Sequence, residues 1–258
     1  MSETCAQMPK IGSQETDATR HPRIFNAHNQ DPVQLRLFTD PRVCGVVESL
    51  IGLPIAGIQS MVMFKEPGMR GQAYHQDSNY IQNTPDTLTA IWIAMEPANT
   101  ENGCLHVVPG SHCDGIQTDH PITNHEEHES WTSEVSVDRD RETPVVLDTG
   151  DVLFFHGQLL HGSYRNQSAD SFRRSFVSHY VAQQTHVARQ DLRKLPIALH
   201  SGGRSSGVDC LDAPGGSLGQ RSYRLRDRRQ EDEPGTSDGR STCESVPTNI
   251  WVGDTSRA

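Results

Sequence analysis

The stretch Tyr74-His75-Gln76-Asp77 carries a histidine and a carboxylate two residues apart. In extended backbone, side chains two apart share a side, so His75 and Asp77 can reach one cation while Gln76 points elsewhere. A second histidine from a distant strand would complete a two-histidine, one-carboxylate face. Such a face leaves the opposite positions of an octahedral ion open, which suits non-haem Fe(II) and oxygen chemistry. The pair alone is weak evidence. With 13 histidines and 33 acidic residues in 258, about two His-x-Asp/Glu triplets are expected by chance, and the chain has three. The other two, His112-Cys113-Asp114 and His125-Glu126-Glu127, fall at the start and middle of an acidic, histidine-rich stretch, 113–143, where no strand alternation aims both side chains together. Solvated surface is the expectation for His120, His125 and His128 in that stretch.

Two histidines compete for the third position: His156, at the end of a strand, and His161, five residues later. Beyond His161 lie Gly162-Ser163 and then Phe172-Arg173-Arg174 on the next strand. A cosubstrate with two carboxylates needs a permanently charged planar fork for its far end, and arginine supplies one through two parallel hydrogen bonds.

These residues need a scaffold. Asp31-Pro32 and Asp40-Pro41 each set a proline behind a capping carboxylate, and Val43, Val46, Val47, Leu50 and Ile51 follow at helical spacing before Gly52, so two short helices are expected. Their role is to cover one face of a sheet. Strands are expected at Ile55–Phe64, at Leu88–Met95 with both faces buried, at Cys104–Val108, near Pro144–Asp148, at Val152–His156 and from Phe172 through Tyr180. Strands separated by Pro/Gly turns outnumber helices, so the fold class is an all-β core with flanking helices, an antiparallel sandwich or jelly roll. Trp92 reads as core before any other information is used.

Three regions are expected: a flexible lead at 1–20, a folded domain at 21–190, and a tail at 195–258. The tail is rich in Gly, Ser, Arg, Asp and Glu and is too poor in large apolar side chains to offset its ordering entropy. A net charge of −10 argues against a nucleic-acid or acidic-membrane partner but allows a small anion received by local arginines. Six scattered cysteines without a C-x-x-C pair read as reduced thiols. With no basic start followed by an apolar core and no apolar run of spanning length, a cytoplasmic location is expected.

Tyr74-His75-Gln76-Asp77, Trp92-Ile93-Ala94-Met95-Glu96, Glu101-Asn102-Gly103-Cys104-Leu105, Val108-Pro109-Gly110-Ser111-His112, Gly150-Asp151 and His161-Gly162-Ser163 through Arg173 occur in that order. Across roughly residues 22–185 this closely resembles the phytanoyl-CoA dioxygenase family of Fe(II)- and 2-oxoglutarate-dependent oxygenases. The resemblance implies a double-stranded β-helix (jelly roll, cupin-like) with His75, Asp77 and His161 as iron ligands. It implies Arg173 as the anchor for the far carboxylate of 2-oxoglutarate, Arg174 being the reserve, and Ser163, Met61 and Trp92 as lining for the cosubstrate pocket. It further implies Fe(II), 2-oxoglutarate and O2 as reactants and a small-molecule substrate, either a coenzyme A thioester or a free metabolite. The carboxylate Asp77 points to hydroxylation, because related halogenases lack it. Little sequence precedes His21-Pro22-Arg23, where the family has a longer N-terminal portion, and Arg23 is the basic residue upstream that could complete the pocket. The competing readings are a degenerate or truncated jelly-roll protein that binds without turnover, and a zinc-dependent hydrolase, which leaves Arg173 unexplained.

Overall fold

The computed structural model describes residues 23–130, 132–197, 208–211, 222–225 and 251–254. In chain order the elements are β1 Arg23–Phe25, α1 Pro32–Phe38, α2 Pro41–Ile51, β2 Ile55–Lys65, a single turn α3 Asp77–Tyr80, β3 Asn83–Thr84, β4 Thr89–Ala94 and β5 Leu105–Val107. They continue with β6 His120–Pro121, β7 Ser133–Glu134, β8 Thr143–Val145, β9 Asp151–His156, β10 His161–Ser163, β11 Arg173–Ala182, β12 His186–Val187 and β13 Leu195–Pro196. Both helices begin as their sequence predicts. Asp31 accepts from the Val33 amide at 2.7 Å and Asp40 from the Arg42 amide at 2.9 Å, with proline at the first helical position, and Gly52 closes α2 in the left-handed region.

The larger sheet runs β1-β2-β11-β4-β9, every pair antiparallel, with β13 joined to β2. The smaller runs β10-β5-β8. Strand alternation sorts the larger sheet into two buried faces. Val62, Ile91, Val152, Phe154, Phe176 and Tyr180 meet Phe38, Val43, Val46 and Val47 of the helices. Trp92, Leu153, Phe155 and Val177 face inward onto Leu105, Val107, Val145 and Leu147 of the smaller sheet and its extension. Each such side chain contributes about 1.5–3 kcal/mol on burial, so the two layers hold the larger sheet from both sides. The expected jelly-roll class is the observed one, and β4 is buried on both faces, as its apolar run predicts.

The stretch 113–143 is more ordered than its composition suggests. β6 pairs with β7, and the Glu127–Glu129 segment docks along Gly71 through Gly71 N–H to Glu127 O and Glu129 N–H to Gly71 O, 2.8 and 2.9 Å. His125 is exposed, but His128 is buried by that docking, contrary to the surface expectation for it. The expected lead at 1–20 lies outside the described residues, as does most of the expected tail. Of that tail, β13 pairs with β2 and Ile197 is buried in the helix-side core. Val208–Leu211 pairs with Ser222–Leu225, and Trp251–Asp254 pairs with β9. No described helix is long and apolar enough to cross a membrane.

Candidate active site

His75, Asp77 and His161 converge inside the jelly roll, one ligand atom from each lying within 4.8 Å of the others. Among the described residues this is the one group of three or more His, Cys, Asp or Glu side chains so arranged. The local backbone explains it. His75 forms an isolated antiparallel bridge with His161, closed by two hydrogen bonds of 2.9 and 3.1 Å, so the two rings are brought together across strand edges, 4.2 Å between centroids. The chain stays extended through Gln76 and then turns, so Asp77 opens α3 rather than continuing a strand. The two-residue alternation still holds across that corner. Gln76 points away, donating to the carbonyls of Gly115 and Gln158 at 2.9 and 2.6 Å and accepting from the Gln117 amide at 2.8 Å, which ties the loop to the site's back wall.

Both histidines present Nε2 as the atom that could bind a metal. His75 Nδ1 donates to Ala73 O at 2.8 Å and His161 Nδ1 to Leu159 O at 3.0 Å, which leaves each Nε2 without its hydrogen, 3.5 and 3.7 Å from Asp77 Oδ1; His75 Nε2 accepts from the Gln72 side-chain amide at 3.1 Å. Burial, and the neighbouring His75, push the His161 pKa down to about 4, so this ring is neutral and ligand-ready at ordinary pH. For Asp77, burial works toward the neutral acid, but the surrounding imidazoles, with His179 and His75 as hydrogen-bond partners, outweigh it and hold the carboxyl well below its usual range. His179 Nε2–H donates to Asp77 Oδ2 at 3.1 Å, leaving Oδ1 facing the two histidines. Two imidazoles, each with Nδ1 on a backbone carbonyl, and one carboxylate are a donor set that fits a divalent cation.

The cavity beside the triad has a volume of about 190 Å³, and its lining includes Arg173, Ser163, Trp92 and Met61. Arg173 is 1% exposed, its Nε has no hydrogen-bond partner among the described residues, and its guanidinium reaches Ser175 Oγ only at 3.4 Å. It lies over the Trp92 ring, 5.4 Å from the centroid. Burial, then the charge of Arg23, lower its pKa to about 10, so it remains a cation. Trp92 is thus both core and lining, packing in the inter-sheet layer with one face toward the arginine. Arg174, one residue on, points to the opposite side and pairs with Glu96.

Residues that the sequence did not single out complete this end. Lys65, fully buried opposite Arg173 in the β2–β11 register, donates to Tyr164 O at 2.5 Å, Ser163 Oγ at 3.1 Å and Gly103 O at 3.2 Å. Burial and the charge of Arg173 drive its pKa well down. Ser163 Oγ also accepts from the Gln72 amide at 3.3 Å, so its own hydroxyl hydrogen is left to donate into the cavity. Gly103, at φ 77°, and Gly71 are close approaches: a Cβ would meet Tyr164 O at 2.6 Å in the first case and Ser163 O at 1.8 Å in the second. Arg23 does line the cavity, but it pairs with buried Glu129 at 2.9 Å and donates to Gln72 Oε1 at 3.2 Å.

His156 is not brought to the triad. Phe155 faces the cavity, so alternation turns His156 the other way, toward His112 at 6.1 Å between rings. His112 and Asp114 lie in a 3-10 turn away from the site, and the His125 triplet is on the docked loop. His179 was visible only as a histidine six residues after Arg173. What marks it is its register opposite Gln59 and Ala90, which requires the strand pairing.

The phytanoyl-CoA dioxygenase family profile matches residues 8–175. Phytanoyl-CoA dioxygenase 1 of Oryza sativa subsp. japonica is 35% identical over 158 residues, 60% of this chain and 54% of that protein. A probable phytanoyl-CoA dioxygenase of Caenorhabditis elegans is 34% identical over 168 residues, 58% and 51% of the two chains. The chain therefore spans about half the length of these relatives. Among solved structures, the epimerase SnoN in complex with Fe3+, alpha ketoglutarate and nogalamycin RO aligns over 97% of this chain and 85% of its own, with a TM-score of 0.56 and 21% identity. EvdO2 from Micromonospora carbonacea var. aurantiaca, complexed with 2-oxoglutarate, aligns over 69% of each chain with a TM-score of 0.55 and 19% identity. These structures share the fold, and the sequence match sets the membership: the chain belongs to the phytanoyl-CoA dioxygenase family.

Proposed function

We propose that this protein is an Fe(II)- and 2-oxoglutarate-dependent dioxygenase that hydroxylates a small molecule, with succinate and carbon dioxide as co-products. The observation that carries the reading is the buried Arg173, which among the described residues makes no ion pair, in the same cavity as His75, Asp77 and His161. A buried cation without a counter-ion is costly, and the ligand that relieves this cost is an anion that enters the cavity. In this reading His75, Asp77 and His161 hold the iron, which would supply oxygen activation coupled to oxidative decarboxylation of the keto acid. Arg173 grips the far carboxylate through its planar fork, and the Ser163 hydroxyl donates to the same group. Lys65 holds Ser163 in place through its hydrogen bond to Oγ. Met61 and Trp92 close the sides and exclude water, which strengthens every charge interaction inside. His179 keeps Asp77 Oδ2 occupied so that Oδ1 remains the ligand atom.

The test is succinate formation from 2-oxoglutarate by the purified protein with Fe(II) in air. Turnover without added substrate is expected to be slow, to depend on iron and to vanish in Asp77→Ala. Iron-loaded, folded protein that makes no succinate above the Asp77→Ala background, alone or with candidate substrates, would reject the reading.

A further inference from the structure

Gln59 is the one polar residue on the inward face of β2 that the chemistry above does not use. The inward residues of that strand are Lys65, Met63, Met61 and Gln59, paired in register with Arg173, Ser175, Val177 and His179 of β11. Arg173 and His179 are six residues apart on one strand, about 20 Å at 3.3 Å per residue, so Gln59 lies at the far end from the anion anchor and across from the histidine that holds Asp77. Gln59 is 6% exposed and lines the cavity, yet among the described residues its side-chain amide has no hydrogen-bond partner. The amide opens onto the cavity rather than being sealed in the core, so the cavity is the direction from which its partner comes.

The surroundings decide the class of that partner. The rest of this end is Phe25, Tyr80, Ile81 and Met61, with Arg189 at the mouth. Arg189 pairs with Asp191 through Nε at 3.1 Å and a second, shorter contact. Among the described residues Arg189 is the one cation at this end, and it is already paired at the mouth, whereas the Gln59 amide inside the cavity both donates and accepts.

We propose that Gln59 is the specificity-determining residue of the substrate side and that it recognises a neutral carboxamide or lactam next to the carbon that is oxidised. The inference rests on the oxygenase reading above for the word substrate, but the recognition itself needs no iron. An amide paired side by side with the Gln59 amide satisfies one donor and one acceptor on each partner. Phe25, Tyr80 and Ile81 receive the apolar remainder.

The experiment follows the Gln59 side-chain NH2 signal in 15N-labelled full-length protein without iron, assigned by its loss in Gln59→Leu, while hexanamide or hexanoate is titrated. Hexanamide is expected to shift the signal saturably and to bind about tenfold more weakly to Gln59→Leu, the loss of one to two net hydrogen bonds. Hexanoate is expected to leave the signal in place, because its carboxylate goes to Arg173. If Gln59→Leu does not fold, Gln59→Asn, which withdraws the amide by one methylene, is expected to show the same direction of loss. An unmoved signal with hexanamide, equal affinity in wild type and variant, or an equal shift by hexanoate would overturn the proposal. Failure of the oxygenase reading would show differently, as absent succinate formation with the hexanamide shift intact.

Discussion

The two ends of the cavity are built on the same pair of strands and differ in how their polar groups are satisfied. At the β2 C-terminal end, Lys65 and Arg173 sit opposite each other, both buried, with Arg23 and Glu129 beside them. At the other end Gln59 faces His179, and the remaining lining is apolar or already ion-paired. Among the described residues the first end holds a cation, Arg173, outside any ion pair and the second a neutral amide without a protein partner. The difference separates two recognition tasks by charge, so that an anion and a neutral molecule cannot easily exchange places on either side of the triad. It also separates rigidity: three hydrogen bonds hold Lys65 and fix Ser163, whereas the Gln59 amide has no protein group to orient it.

That comparison can be broken at several points, and the largest effect is expected at its centre. Asp77→Ala and His161→Ala each remove a ligand and are expected to weaken Co(II) or Fe(II) binding by well over about 100-fold, more than the loss of an outer partner would, measured by titration of apoprotein. Arg173→Ala is expected to weaken 2-oxoglutarate binding by about 10- to 100-fold, as the loss of a charge-assisted bidentate contact, with little change in metal affinity. Arg174→Ala is the control and should leave both constants within about twofold, since a half-exposed pair such as Arg174–Glu96 contributes little. His179→Leu removes the donor to Asp77 Oδ2 and is expected to cost about tenfold in metal affinity. His179→Gln, which can place an amide donor at similar reach, should recover part of it; a purely packing role for His179 would give no such rescue. Lys65→Met is expected to act mainly on folding, lowering stability by about 2–4 kcal/mol in denaturant melts, because two backbone carbonyls lose their buried donor.

The contrast also shows what a sequence can and cannot disclose. The helix starts at Asp31-Pro32 and Asp40-Pro41 and the doubly buried strand at 89–94 follow from local chemistry, so they were legible. His75 and Asp77 were legible as a pair through alternation, although the chain turns at Asp77 instead of running on as a strand. The choice of His161 over His156 depends on which side of β9 His156 faces and on the bridge from His161 of β10 to His75, and the choice of Arg173 over Arg174 on the register of β11; the resemblance to known proteins supplied those preferences before the strands did. Gln59, Lys65 and His179 were not singled out because their roles come from cross-strand partners more than 50 residues away. His128 looked like a surface histidine because its burial comes from the docking of a polar loop against Gly71, which composition does not reveal.

The central claim is that a metal held by His75, Asp77 and His161 shares one cavity with a dicarboxylate held by Arg173. The most direct test is to add Fe(II) and 2-oxoglutarate to the purified protein without oxygen and record the visible spectrum. The account predicts the charge-transfer band of a keto acid chelated to iron, absent in Asp77→Ala and His161→Ala and requiring more 2-oxoglutarate in Arg173→Ala. Folded, iron-loaded wild-type protein that shows no band at saturating 2-oxoglutarate would contradict it.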